Sequence, residues 1–386
     1  MRYRNPAMTI VGLVFKEFRN SSSSPRALYG GLETTRFRDR LAAMKTFYSP
    51  AHQGHAPKEE FEGGRLVPAV EIPERAERVR ARIEARKLGP VIAPSEFGAA
   101  PILRVHDAAF VEFLGSAYAD WRAHYWRDTA DAIPSAWPGR GLRDRCGGDI
   151  ESRLGSYAFD TATPIGKGTF AAARTAADVA LSAARALHEG ERAVFALTRP
   201  PGHHAGADLF GGYCYLNNVA IAAQWLADQG MRPAILDVDY HHGNGTQAIF
   251  YRRSDVLFVS VHADPSFAYP HFLGFADERG EGAGDGLNLN LPLPRKTEWP
   301  AYAEALGAAL ARIRDFAPDV LLVSLGLDTF EADPISRFKL RTEDYLRLGE
   351  ALAALRLPTL FVFEGGYNLE HLAENTCNVL EGFDGG

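Results

Sequence analysis

From about residue 168 onward, five short apolar runs alternate with helical segments, and this alternation allows few folds. The runs lie at residues 193–198, 233–238, 256–261, 320–325 and 359–363. They are apolar at successive positions, which suits strands whose sheet is covered on both faces. Helical spacing fills the intervals, at residues 169–187, 217–228, 298–316 and 342–355. The expected fold class is therefore α/β, an open, mainly parallel sheet with helices on both faces. Upstream, Met44 opens a segment that reads as a first strand, and residues 73–87 and 106–118 read as helices. Residues 120–155 carry three tryptophans with many arginines, prolines and glycines. That is too long for an ordinary connection, so a functional or assembly loop is expected there.

With 386 residues, 46% of them hydrophobic, the chain can bury a large core. Its net charge of -6 argues against a nucleic-acid or anionic-membrane partner and slightly favours cationic ligands. No apolar run is long enough to span a bilayer. Cys146, Cys214 and Cys377 are scattered, so neither a disulfide framework nor a cysteine zinc site is expected, and a reducing cytoplasm fits. The apolar stretch at residues 8–15 is followed at once by Lys16-Glu-Phe-Arg19, without a small-residue cleavage site, so no signal peptide is expected. Residues 1–43 are expected to be a flexible or accessory extension, or to lie upstream of the usual start. Residues 44–386 are expected to form one catalytic domain.

Each apolar run ends in reactive residues: Arg199-Pro-Pro-Gly-His-His204, Asp237-Val-Asp-Tyr-His-His242, Ser260-Val-His262, Gly326-Leu-Asp328 and Glu364-Gly-Gly-Tyr367. Open parallel sheets carry their sites at the carboxyl ends of strands. Asp239 and His241 alternate along an extended chain and can face one side. Asp328 is the best third ligand, and two carboxylates with one imidazole suit an open catalytic zinc site. Gly243 and Phe330 stand where a second metal would need carboxylates, which favours one ion. Asp237 is then free to hydrogen-bond a histidine or to bind a structural monovalent cation. The tandem His203 and His204 are expected to do acid–base work. Tyr367 is expected to donate to a developing oxyanion. Tyr213 and Tyr269 either wall a narrow slot or pack as core aromatics, and Cys214 is expected to pack rather than react.

Four of these segments carry a resemblance: Arg199-Pro-Pro-Gly-His-His-Ala205, Gly212-Tyr-Cys-Tyr-Leu-Asn-Asn218, Leu236-Asp-Val-Asp-Tyr-His-His-Gly-Asn-Gly-Thr-Gln247 and Glu364-Gly-Gly-Tyr367. Together they resemble the zinc-dependent histone deacetylase superfamily, which has the arginase–deacetylase fold. Asp149-Ile-Glu151, Tyr269-Pro-His-Phe-Leu-Gly274 and Asp328-Thr-Phe-Glu-Ala-Asp-Pro-Ile-Ser336 look most like bacterial acetylpolyamine amidohydrolases. The resemblance implies one zinc ion per subunit on Asp239, His241 and Asp328, catalysis by His203, His204 and Tyr367, and a substrate flanked by Tyr213, Tyr269 and Gly212. Ser260 and the carbonyls around Asp237 match a structural potassium site. Asn244 stands where some relatives carry Asp, leaving His204 less strongly paired. The 120–155 segment matches an insertion that builds a homodimer and narrows the tunnel, and Glu151 matches an acid that would meet a distant ammonium. A second acid of the polyamine enzymes aligns with Ala162, so either the nearby Asp160 substitutes or amine recognition differs.

The expected function is zinc-dependent removal of acetyl groups from acetylated polyamines or similar aminoalkyl amides, in the cytoplasm. The alternatives are a protein acetyl-lysine deacetylase and a non-catalytic module that binds acyl amines.

Overall fold

The computed structural model describes residues 43–125, 131–143 and 146–385. The expectation for residues 1–43 thus lies, except for Ala43, outside the described residues. Strand β1 (Lys45–Phe47) is followed by a small antiparallel hairpin, β2 (Glu59–Glu62) and β3 (Arg65–Pro68), and then by helix α1 (Glu74–Arg86) and strand β4 (Val91–Ile92). Next come α2 (Ala108–Tyr125), α3 (Ile150–Tyr157), α4 (Thr169–His188), β5 (Ala193–Ala196) and α5 (Asn218–Asp228). The remainder is β6 (Pro233–Asp237), α6 (Asn244–Phe250), β7 (Leu257–Ala263), β8 (Asn288–Leu293), α7 (Trp299–Phe316), β9 (Val320–Leu325), α8 (Thr342–Ala353), β10 (Thr359–Phe363) and α9 (Leu372–Gly385).

The main sheet has eight strands in the order β4-β1-β5-β10-β9-β6-β7-β8, and every pairing within it is parallel. Alternate residues of one strand enter different cores, because successive side chains point to opposite faces. Phe195, Leu236, Val323 and Phe361 pack with α1, α7, α8 and α9 on one face. Val194, Ile235, Leu322 and Leu360 pack with α2, α4 and α5 on the other. The continuous apolar character of the runs is the consequence. The described residues belong to one compact unit, Ala42–Gly386. No helix among them is long and apolar enough to cross a membrane.

The segment 120–155 differs from the loop expected of it. Its first residues complete α2, and its last belong to α3, which Asp149 caps by accepting from the Glu151 amide at 2.9 Å. Apolar residues of both helices, including Phe113, Leu114 and Leu154, sit in the core, and this burial stabilises helix at both ends of the segment.

Candidate active site

The carboxyl ends of β5, β6, β9 and β10 meet at one rim of the sheet, where hydrogen bonds tie them together. Glu364, just after β10, accepts from the Gly202 and His203 amides at 2.6 and 3.2 Å, which fixes the histidine turn after β5. Asp239 accepts from the Gly365 amide at 2.9 Å, and Asp328 accepts from the Tyr240 amide at 2.8 Å. His203 Nδ1 donates to Asp237 Oδ2 at 2.9 Å. His204 Nδ1 donates to Asn244 Oδ1 at 2.6 Å, which leaves Nε2 as the free lone pair of a neutral ring.

These partners separate the two rings electrostatically. Burial alone would lower His203, but the charges of Asp237 and Asp239 win and raise it to about 10. Burial lowers His204, and the neighbouring His203 and His241 push it further, well below the ordinary imidazole value. One ring is cationic at neutral pH and the other is not.

Asp239, His241 and Asp328 are all buried, and one ligand atom from each lies within 4.8 Å of the others. His241 Nδ1 is 3.0 Å from Asp328 Oδ2 and 3.3 Å from Asp239 Oδ1. Burial, with Asp239 alongside, raises Asp328 to about 7, whereas Asp239, despite its burial, is held below the usual range by His203 and His241. Two buried carboxylates this close favour a cation between them. Gly365 makes room for the group, since a Cβ there would sit 2.6 Å from an oxygen of each aspartate. Two carboxylate oxygens and an imidazole nitrogen around such a space fit a divalent metal.

A cavity of about 190 Å³ opens onto this rim and is lined by His204, Gly212, Tyr213, His241, Tyr269 and Tyr367 among others. Tyr213 and Tyr269 therefore wall a slot rather than pack as core aromatics. The Gly211 and Cys214 amides and carbonyls bond reciprocally at 3.1 and 3.0 Å, closing a two-residue turn over Gly212 and Tyr213. Both turn residues have positive φ, 57° and 65°, as a type I′ hairpin turn requires. For Tyr213 that conformation costs about 1–3 kcal/mol. At Gly212 a Cβ would collide with the His204 ring at 2.2 Å. Tyr269 stands edge-on to His204 with ring centroids 5.0 Å apart, and Tyr213 lies 5.6 Å from Tyr367. Burial keeps the Tyr367 phenol well above its ordinary value, so it remains a donor at neutral pH.

The remaining expected residues fall around this cavity or away from it. Asp237 makes the histidine hydrogen bond, and Ser260, paired with it in register on β7, shares a 2.8 Å hydrogen bond with His262 Nδ1. Cys214 is fully buried, and burial drives its thiol well above the usual range. His242 is buried with its ring 4.6 Å from that of His262. Glu151 is the exception. It is exposed on α3, accepts from the Tyr125 hydroxyl, and lies beside Asp149 and His124 rather than in the cavity wall. No described residue of 120–155 lines the cavity.

The acids that do line it are Glu60 and Glu62 on β2, together with Asp160. Their sequence signal is slight: Gly63-Gly64 marks a hairpin turn, and Glu60 and Glu62 share a face by alternation. Arg75 was also hidden, in a helix that reads as charged. It occupies the stripe of Val79 and Ile83, at four-residue spacing, and is fully buried with them. Its guanidinium bonds the Glu364 and Gly366 carbonyls, both at 2.6 Å, and lies 4.7 Å from the Tyr367 ring centroid, anchoring the tyrosine turn.

Comparison with known proteins agrees with this geometry. Residues 69–383 match the family model described as histone deacetylase domain. An acetylpolyamine amidohydrolase of Pseudomonas aeruginosa is 52% identical over 347 residues, covering 89% of this chain and 99% of its own. That of Mycoplana ramosa is 46% identical over 343 residues, covering 89% of this chain and 100% of its own. The crystal structure of an acetylpolyamine aminohydrolase from Burkholderia pseudomallei superposes with a TM-score of 0.83 at 43% identity, covering 88% of this chain and 98% of that one. The chain belongs to the histone deacetylase family of metal-using amide hydrolases, and within it is similar to the bacterial acetylpolyamine amidohydrolases.

Proposed function

We propose that this protein removes acetyl groups from acetylated polyamines and similar aminoalkyl amides. The observation that carries this reading is the wall of the cavity. Glu60, Glu62 and Asp160 line it beside His204, His241 and Tyr367, and no described lysine or arginine does. Three carboxylates around one small space favour a cationic occupant. A slender ammonium-bearing chain fits that field, and the names of the relatives agree with it.

Asp239, His241 and Asp328 would hold one zinc ion. Bound there, zinc supplies Lewis acidity to water and to the amide carbonyl. His204, neutral with Nε2 unprotonated, takes the proton of the attacking water and passes it to the leaving amine. His203, kept cationic by Asp237, steadies the negative charge that develops beside it. Tyr367 donates its hydroxyl proton to the carbonyl oxygen. A structural potassium ion at Asp237, Ser260 and nearby carbonyls, a homodimer built through residues 120–155, an accessory role for residues 1–43 and action in the cytoplasm complete the reading.

Glu60 should make substrate binding depend on pH. Burial raises it to about 7, against a hydrogen bond from Tyr213 and with help from the charges of Glu62 and Glu71. Because its pKa is raised, Glu60 is mostly neutral below pH 7 and becomes anionic as pH climbs through that value. KM for a cationic substrate should therefore fall between roughly pH 6 and 8, and Glu60→Gln should flatten that dependence. A flat KM in the unmodified protein would remove Glu60 from ammonium recognition. The function itself is tested with acetylputrescine and protein stripped of metal, then reloaded with zinc. Acetate release that returns with zinc is expected, and no release from the reloaded protein would overturn the reading.

A further inference from the structure

Both tyrosines of the cavity wall give their hydroxyl protons to carboxylates of the chain itself. Tyr269 Oη donates to Asp160 Oδ2 at 2.8 Å, and Tyr213 Oη donates to Glu60 Oε1 at 3.0 Å. A phenol has one proton. Neither hydroxyl therefore has a proton left to donate into the slot. Asp160 is fully engaged as an acceptor. Its Oδ2 also takes the Gly212 amide at 2.6 Å, and its Oδ1 takes the Ala162 amide at 3.1 Å and the Thr163 hydroxyl at 2.9 Å. Four donors fill the four acceptor positions of a carboxylate, so Asp160 has none left for a substrate ammonium.

We propose that the Asp160–Tyr269 pair, joined by Glu60–Tyr213 once Glu60 is ionised, determines specificity by polarity: the pairs turn the hydroxyl protons away and leave the slot walls lined with acceptors. Such walls accept an aminoalkyl chain, whose N–H groups donate. They disfavour chains that bring carbonyl or carboxylate acceptors of their own, which would face lone pairs with no proton between them. Asp160 is a positioning residue in this scheme, acting through Tyr269 and the Gly212 turn. It thereby compensates for Ala162 without occupying the position of an acid there. The inference rests on the aminoalkyl amide reading and adds the device by which the slot selects that class.

The test compares acetylputrescine with N-pentylacetamide, an uncharged chain of equal length, in the unmodified protein, Asp160→Asn and Tyr269→Phe. The readout is the ratio of kcat/KM for the two substrates, which a general loss of packing lowers for both alike. In Asp160→Asn one acceptor oxygen becomes an NH2 that must face either the Gly212 or the Ala162 amide N–H, so the network that holds the Tyr269 proton away from the slot is broken, and the ratio should fall about tenfold or more. Tyr269→Phe removes the phenol but exposes an Asp160 oxygen, so the walls keep only acceptors and the ratio should hold within about threefold. An unchanged ratio in Asp160→Asn would overturn the inference. So would a collapse in Tyr269→Phe, which serves alone if the asparagine variant does not fold. A protein that shows no preference for the cation sinks the aminoalkyl reading itself, whereas a preference that survives Asp160→Asn sinks only the polarity device.

Discussion

His204→Ala is expected to lower kcat about 10²–10⁴-fold, the usual contribution of a positioned acid–base group. The ring lines the cavity, has its Nε2 free and is held neutral by burial beside His203 and His241. Its partner His203 is cationic and turned to Asp237. Only one of the two rings is therefore poised to accept a proton at neutral pH. Alanine leaves Asp239, His241 and Asp328 untouched, so metal content, measured alongside turnover, should stay at one ion per chain. A variant that keeps near-normal kcat would move the base elsewhere. A variant that loses turnover and metal together would show that the histidine supports the metal group instead.

Tyr367→Phe is expected to lower kcat about 10²–10³-fold with little change in KM, the pattern of a donor needed mainly when charge develops on the carbonyl oxygen. The tyrosine turn is braced independently of the hydroxyl. Asp333 accepts from the Tyr367 amide at 2.8 Å, and Arg75 grips the carbonyls of Glu364 and Gly366. Phenylalanine should therefore occupy the same place and differ only in the missing proton. Steady-state kinetics on acetylputrescine decide it, and a rise in KM at constant kcat would make Tyr367 a binding residue.

The parts of this molecule that were legible in the sequence are those where one physical demand dominates. Runs such as Val320–Leu325 and Thr359–Phe363 are apolar at all but one position each, Ser324 and Thr359, because neighbours cover both faces. Asp239, His241 and Asp328 stand out because acids and imidazoles directly after such runs need compensation. Edge β8 was missed. Its Asn288-Leu-Asn-Leu-Pro-Leu293 alternates, and Pro292 is tolerated because no described strand lies beyond it. Helices α3, α6 and α9 were missed as well, two of them no longer than eight residues and so weak in period. Arg75 was hidden because a buried arginine and a solvated one are the same letter. The Glu60 and Glu62 wall was hidden because a short charged hairpin reads as surface. Glu151, in contrast, was drawn from a resemblance of local sequence, and its side chain instead meets Tyr125 on an exposed helix.

Selection of aminoalkyl amides over acetylated protein by the carboxylate-lined slot follows from the proposed function. The most direct measurement is kcat/KM on zinc-loaded protein for acetylputrescine, acetylcadaverine and longer acetylpolyamines against an acetyl-lysine peptide. Charged hydrogen bonds contribute about 1.5–3 kcal/mol each, so the best acetylpolyamine should exceed the peptide by about tenfold or more. A peptide turned over as efficiently as every acetylpolyamine, or more so, would rule out that selection.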